Sequence, residues 1–160
     1  MRKYFIIPLL FLTLTTFSQN WTPEEEVILE RVKYGWSTWE KAVANKDYSI
    51  HGDAMNRPDD FRCWWTTDSY LWSFKDSKEN FDFLIKDIAI LKVIAIKPVE
   101  IQVHGDVAFI WFYATTAIEN KKGVTTTTEA KRFEVYRKID GEWVWSAGMV
   151  DAKPVNNIIE

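Results

Sequence analysis

At 160 residues the chain has the length of one domain, and a net charge of −3 with no basic run argues against nucleic acid or an anionic membrane surface as a partner. A single cysteine, Cys63, excludes an intramolecular disulfide, so the fold must be held by its core. Nine Trp, six Tyr and ten Phe exceed what a core of this size requires, and such rings also build cavity walls and sugar-binding faces.

Met1-Arg2-Lys3 precedes an apolar run from Tyr4 to Leu12 that is too short to cross a bilayer, and Thr16 and Ser18 place small residues at −3 and −1 of a cleavage site. Residues 1–18 therefore read as a secretory signal peptide cleaved near Ser18, which predicts an exported protein, periplasmic or secreted, without a membrane span.

Residues 19–152 are expected to form the domain. Thr22, Pro23 and Glu25 have the spacing of a capping box with proline in the first turn, and three glutamates there suit the helix dipole. Leu29, Val32, Trp36, Trp39 and Val43 then repeat at 3-4-3-4 spacing, one apolar face of a helix that ends near Ala44-Asn45-Lys46. Glu30, Arg31, Lys33, Glu40 and Lys41 are assigned to its solvent side. Asp47 reads as the cap of a second helix from Tyr48 to about Met55, which Pro58 bars from continuing. Phe61–Thr66 and Tyr70–Phe74 read as short strands, and Asp76 with Glu79 as the start of a third helix with Phe81, Leu84, Ile85 and Ile88 on its apolar face.

From Ile90 the hydrophobic period changes to two. Strands are predicted over Ile90–Val103, with an edge or bulge at Pro98, then Val107–Ile118, Thr126–Ile139 and Trp143–Asp151. Hairpin turns fall at His104-Gly105-Asp106, Glu119-Asn120-Lys121-Lys122-Gly123 and Asp140-Gly141, the last being a pair suited to positive φ at both central residues. Residues 153–160 are expected to be a flexible tail. The fold class is α+β, with the helical half laid across one face of a long antiparallel sheet.

That order of elements, together with the ending Phe133-Glu134-Val135-Tyr136-Arg137-Lys138-Ile139-Asp140-Gly141-Glu142-Trp143, resembles the NTF2-like superfamily, specifically its SnoaL-like and DUF4440-type branch. Asp47 after the first helix and the pair Asp59-Asp60 before the first strand match the same pattern, and the resemblance spans about residues 22–152. It implies a curved sheet wrapped around three helices into a cone with an open-ended pocket, and a homodimer through the sheet. It also implies acid-base chemistry by carboxylates, Tyr or His in an apolar cone, as in ketosteroid isomerases, polyketide cyclases and dehydratases. In the SnoaL-like pattern a His often stands where this chain has Met149.

The candidate catalytic residues are Asp60 and Asp151, since burial in an apolar cavity raises a carboxylate toward the useful range for a general base. The ligand pocket is expected to draw on Trp39, Trp64, Tyr70, Arg132, Glu134, Trp145 and Met149. Strict alternation puts Trp143, Trp145, Ala147, Met149 and Asp151 on one face, looking into the cone. His51 and His104 lie far apart, and no metal-ligand spacing, nucleophile elbow or Gly-rich phosphate loop is present, so neither metal nor cofactor is expected. Three functions compete: a pocket for a small apolar or aromatic molecule; an isomerase, cyclase or dehydratase using a pocket Asp; and a non-catalytic carbohydrate-binding or dimeric module that exposes Trp64, Trp65 or Trp72.

Overall fold

The computed structural model describes residues 20–55 and 58–155, apart from the side chain of Asp53; the signal-peptide assignment lies outside them. The first helix, α1 (Pro23–Asn45), begins as its sequence dictates. Glu25 N donates to Thr22 Oγ1 at 3.3 Å, Thr22 N donates to Glu25 Oε2 at 2.7 Å, and Lys46 closes the helix in the left-handed region at φ 57°. Ile28, Leu29, Val32, Gly35, Thr38, Ala42 and Val43 form its buried face. Two residues assigned to solvent have structural roles instead. Arg31 donates to Trp143 O at 2.9 Å and to Ala54 O at 2.6 Å, and Glu40 accepts the backbone N–H of Val93.

The second helix, α2 (Ser49–Met55), starts where Asp47 Oδ1 accepts both Ser49 N and Ser49 Oγ. It crosses α1 at Gly35, where an added methyl would lie 2.4 Å from Met55 Sδ. Strands β1 (Arg62–Trp65) and β2 (Leu71–Trp72) follow, and then helix α3 (Phe74–Leu84). Ser73, not Asp76, caps α3, with Asp76 Oδ2 at the third position accepting hydrogen bonds from Ser73 N and Oγ. The expected strand therefore stops at Trp72. Ile88 leaves the helical stripe to begin the sheet.

Four long strands complete the domain: β3 (Ile88–His104), β4 (Val107–Asn120), β5 (Thr125–Ile139) and β6 (Glu142–Pro154). The sheet order is β2-β1-β6-β5-β4-β3. Its long neighbours are antiparallel, but β1 joins β6 in parallel, which the all-antiparallel reading did not foresee. The predicted turns are present, and Asp140 and Gly141 both take positive φ (52° and 86°), as a type I′ turn needs. Pro98 lies on edge strand β3 beside a register shift. β6 runs on through Lys153 and Pro154, paired with Glu129 and Thr128, so the strand outruns its expected end at Asp151; residues 156–160 of the expected tail lie outside the described residues. Among the described residues no helix is long and apolar enough to cross a membrane.

The main surprise is in β6. Tyr136 pairs with Trp145 while its neighbour Val135 pairs with Ala147, so Ser146 is an extra residue, a bulge. A one-residue slip sends every later side chain to the opposite face. Val150 and Ala152 consequently pack into the core beneath α1, whereas Met149 is 40% exposed. The strict alternation predicted for Trp143 through Asp151 therefore holds only as far as Trp145.

Two measurements follow from this frame. Val150→Asp should cost about 3 kcal/mol or more in urea unfolding, because it buries an unpaired carboxylate, while Met149→Ala should cost no more than about 0.5 kcal/mol. The reverse ranking would put the bulge elsewhere. The second measurement concerns Asp76, whose hydrogen bonds from Ser73 hold its carboxyl below the ordinary 3.8. The stability it contributes is present above that value and is lost as pH falls through the lowered one. Asp76→Asn should thus be less stable than wild type near neutrality, with the difference closing as pH falls below the ordinary 3.8 and through the lowered value.

Candidate functional site

Between α1, α2, α3 and the inner face of β1, β5 and β6 lies a cavity of about 130 Å³. The 3.6-residue period of α1 delivers Trp36 and Trp39 to one wall. The two-residue period of β5 delivers Arg132, Glu134 and Tyr136 to the floor, and Trp145 enters from β6 just before the bulge. Trp65 and Trp72 face each other with ring centroids 5.7 Å apart across the short strand pair, and Ser77, Asn80 and Leu84 of α3 form the more exposed rim.

The floor is ionic and buried. Arg132 donates to Glu134 Oε1 through Nε at 3.0 Å and through Nη2 at 2.8 Å, with the two side chains only 7% and 4% exposed. Tyr136 Oη donates to Glu134 Oε2 at 2.8 Å. Burial, reinforced by the charge of Glu134 and the hydrogen bond to it, pushes the Tyr136 phenol well above its usual range, so it stays a protonated donor. Rings of Trp36, Trp145 and Phe112 lie 5.0, 5.4 and 5.9 Å from the Arg132 guanidinium carbon, within cation–π range.

Trp145 keeps its place through local geometry. Its Nε1 donates to Ala147 O at 2.7 Å, and the ring folds over Gly148, where a methyl would lie 3.1 Å from that nitrogen and 2.8 Å from Phe133 O. On the opposite wall His51 Nδ1 lies 3.1 Å from Thr38 Oγ1 and 3.2 Å from Gly35 O. The Thr38 hydroxyl donates to Gly35 O at 2.7 Å, so the carbonyl, the hydroxyl and the imidazole converge on one point of that wall. Trp39 packs edge-on to His51 at 4.7 Å and to Phe81 at 5.2 Å. Trp72 Nε1 is buried and has no hydrogen-bond partner among the described residues.

Of the residues singled out from sequence, Trp39, Arg132, Glu134 and Trp145 border this cavity. The others do not. Asp60 is on the surface and accepts from Arg137 Nη2 at 2.6 Å, while Arg137 Nε donates to Ser146 Oγ at 2.9 Å, so Asp60 braces the bulge. Asp151 lies beyond the bulge, on the outer side of the sheet, accepting from Thr66 Oγ1 at 3.0 Å. Met149 went outward with it. Trp64 is 47% exposed, its Nε1 donating to Asp68 O, because inward-facing Cys63 takes the alternate position. Tyr70, 57% exposed, stacks on Trp72 at an interplanar angle of 11°. Trp64 is thus parted from Trp65 and Trp72, and the three share no exposed platform.

Trp36, Tyr48, His51 and Tyr136 complete the cavity and were not singled out for it. Alternation from Arg132 and Glu134 to Tyr136 was readable. The approach of His51 required the crossing of α2 over Gly35, which no local pattern encodes.

No family model and no curated protein matches the sequence. Solved structures do. A conserved protein from Planctomyces limnophilus superposes with a TM-score of 0.68 at 12% identity, covering 81% of this chain and 99% of that one. An NTF2-like superfamily protein from Salmonella enterica gives 0.61 at 16% identity, with coverage of 84% and 97%. A ketosteroid isomerase-like protein from Erwinia carotovora atroseptica gives 0.60 at 15%, with 82% and 98%. The helix-packed, unclosed sheet, shared with these proteins along nearly their whole lengths, is the NTF2-like fold.

Proposed function

We propose that the chain is a binding protein whose cavity takes a small apolar or aromatic molecule. The observation that carries this reading is the pairing of aromatic walls with a buried ionic floor. A pair such as Arg132–Glu134 adds little to stability compared with apolar residues of the same shape, so its presence in a cavity has a better explanation in what the cavity holds. A void of about 130 Å³ is close to the roughly 150 Å³ that accommodates benzene in an engineered core, so the occupant is of one-ring size. Binding is favoured over general-base catalysis because the candidate aspartates lie away from the cavity, and the carboxylate of Glu134 has both oxygens engaged. The basic, apolar and small-residue order of residues 1–18 supports export.

The indole N–H resonances of the nine Trp provide the test. Adding toluene to the purified protein should shift those of Trp36, Trp39, Trp72 and Trp145 and leave that of outward-facing Trp64 unmoved, with assignments by single Trp→Phe variants. Shifts confined to Trp64, or none, would remove the cavity as the site.

A second reading concerns association. Trp64, Met149, Phe133 and Trp111 lie in cross-strand register on the outer face of the sheet. There the Phe133 ring is 4.9 Å from that of Trp111 and stacks on Phe109 at 6.1 Å. We read this apolar row as a homodimer interface. Phe133→Arg should convert a sedimenting dimer to monomer and spare toluene binding; a wild-type chain that sediments as a monomer at tens of micromolar would refute the interface.

A further inference from the structure

The cavity holds more hydrogen-bond donors than its own acceptors use. A guanidinium carries five N–H groups. Glu134 takes one from Nε and one from Nη2, and the remaining three meet no acceptor among the described residues. The Trp72 ring lines the same cavity, but its indole N–H is fully covered and offers no donor to it. On the other side of the ledger, both oxygens of Glu134 are taken, and the Tyr136 hydroxyl and Trp145 Nε1 are spent on Glu134 and Ala147 O. Buried donors left unmatched are costly, and a molecule that matches them gains accordingly.

Charge narrows the class further. Arg132 and Glu134 form a pair with no net charge, and Tyr136 remains neutral. A carboxylate drawn into this floor would be an uncompensated anion competing with Glu134 for the same guanidinium, in surroundings that penalise a lone charge. An uncharged oxygen accepts the spare N–H groups without disturbing the pair. The rings around Arg132 favour a flat partner beside that oxygen.

We propose that the ligand is an uncharged, one-ring molecule with an acceptor oxygen, of the aryl ketone or amide type, and that Arg132 is the donor that selects it. This rests on the cavity being the ligand site. Its donors distinguish such a molecule from a hydrocarbon of the same shape, and its charge balance distinguishes it from an acid.

Calorimetric titration at neutral pH with acetophenone, ethylbenzene and benzoate tests both distinctions. Acetophenone is expected to bind about tenfold or more tightly than either of the others. The double variant Arg132→Met with Glu134→Leu removes the pair without leaving a lone buried charge, so it should fold and lose the preference for acetophenone over ethylbenzene. Equal binding of acetophenone and ethylbenzene would overturn the donor assignment while leaving the cavity as the site. Benzoate binding tightest would overturn the charge argument. Failure of all three to bind or to move the indole resonances of the cavity would overturn the site itself.

Discussion

A guanidinium and a carboxylate taken out of water must satisfy each other, and the structure around them has to make that possible. Arg132 and Glu134 stand two residues apart on one strand, so a regular β5 brings them together with no loop and no second element. Tyr136, two residues further on, completes the row by donating to the same carboxylate. Removing either partner alone would strand a buried charge at a cost of about 3–5 kcal/mol, which makes the straightness of β5 a condition of folding. The walls answer to the same row: α1 supplies Trp36 above the guanidinium, and β6 supplies Trp145 beside it.

The bulge at Ser146 reconciles two demands on β6 that plain alternation cannot meet. Trp145 must point inward to cover Arg132, and Val150 must point inward to fill the core beneath α1, yet the two are an odd number of residues apart. One extra residue resolves the parity. Arg137, braced by Asp60, ties that residue's hydroxyl down, and Gly148 lets the indole of Trp145 lie across the strand.

Much of this was legible in the chain. Thr22 to Glu25 announced α1, the period change near Ile90 announced the sheet, and Asp140-Gly141 announced its last turn, because each is a local device whose residues sit together in sequence. Alternation also pointed Trp145 into the cavity, and Trp39, Arg132 and Glu134, offered for the pocket from their places mid-helix and mid-strand, border it too. What escaped was non-local. Nothing within Trp143–Asp151 signals a bulge, since the residues that stabilise it, Asp60 and Arg137, come from other strands or loops, so Met149 and Asp151 were placed on the wrong face. Nor does the 47–55 segment reveal that His51 will meet Thr38 and Gly35 across a helix crossing.

The borders of the sheet carry a last consequence. On β3, Glu40 occupies the amide of Val93, Lys46 Nζ occupies the carbonyl of Ile88 at 2.6 Å, and Pro98 has no amide to offer, while the opposite border is the two-residue β2. A strand from another molecule would find those groups already taken on one border, and only two residues to pair with on the other. Covering those groups guards the borders of the sheet against lateral pairing, while the apolar row on its face stays open to contact.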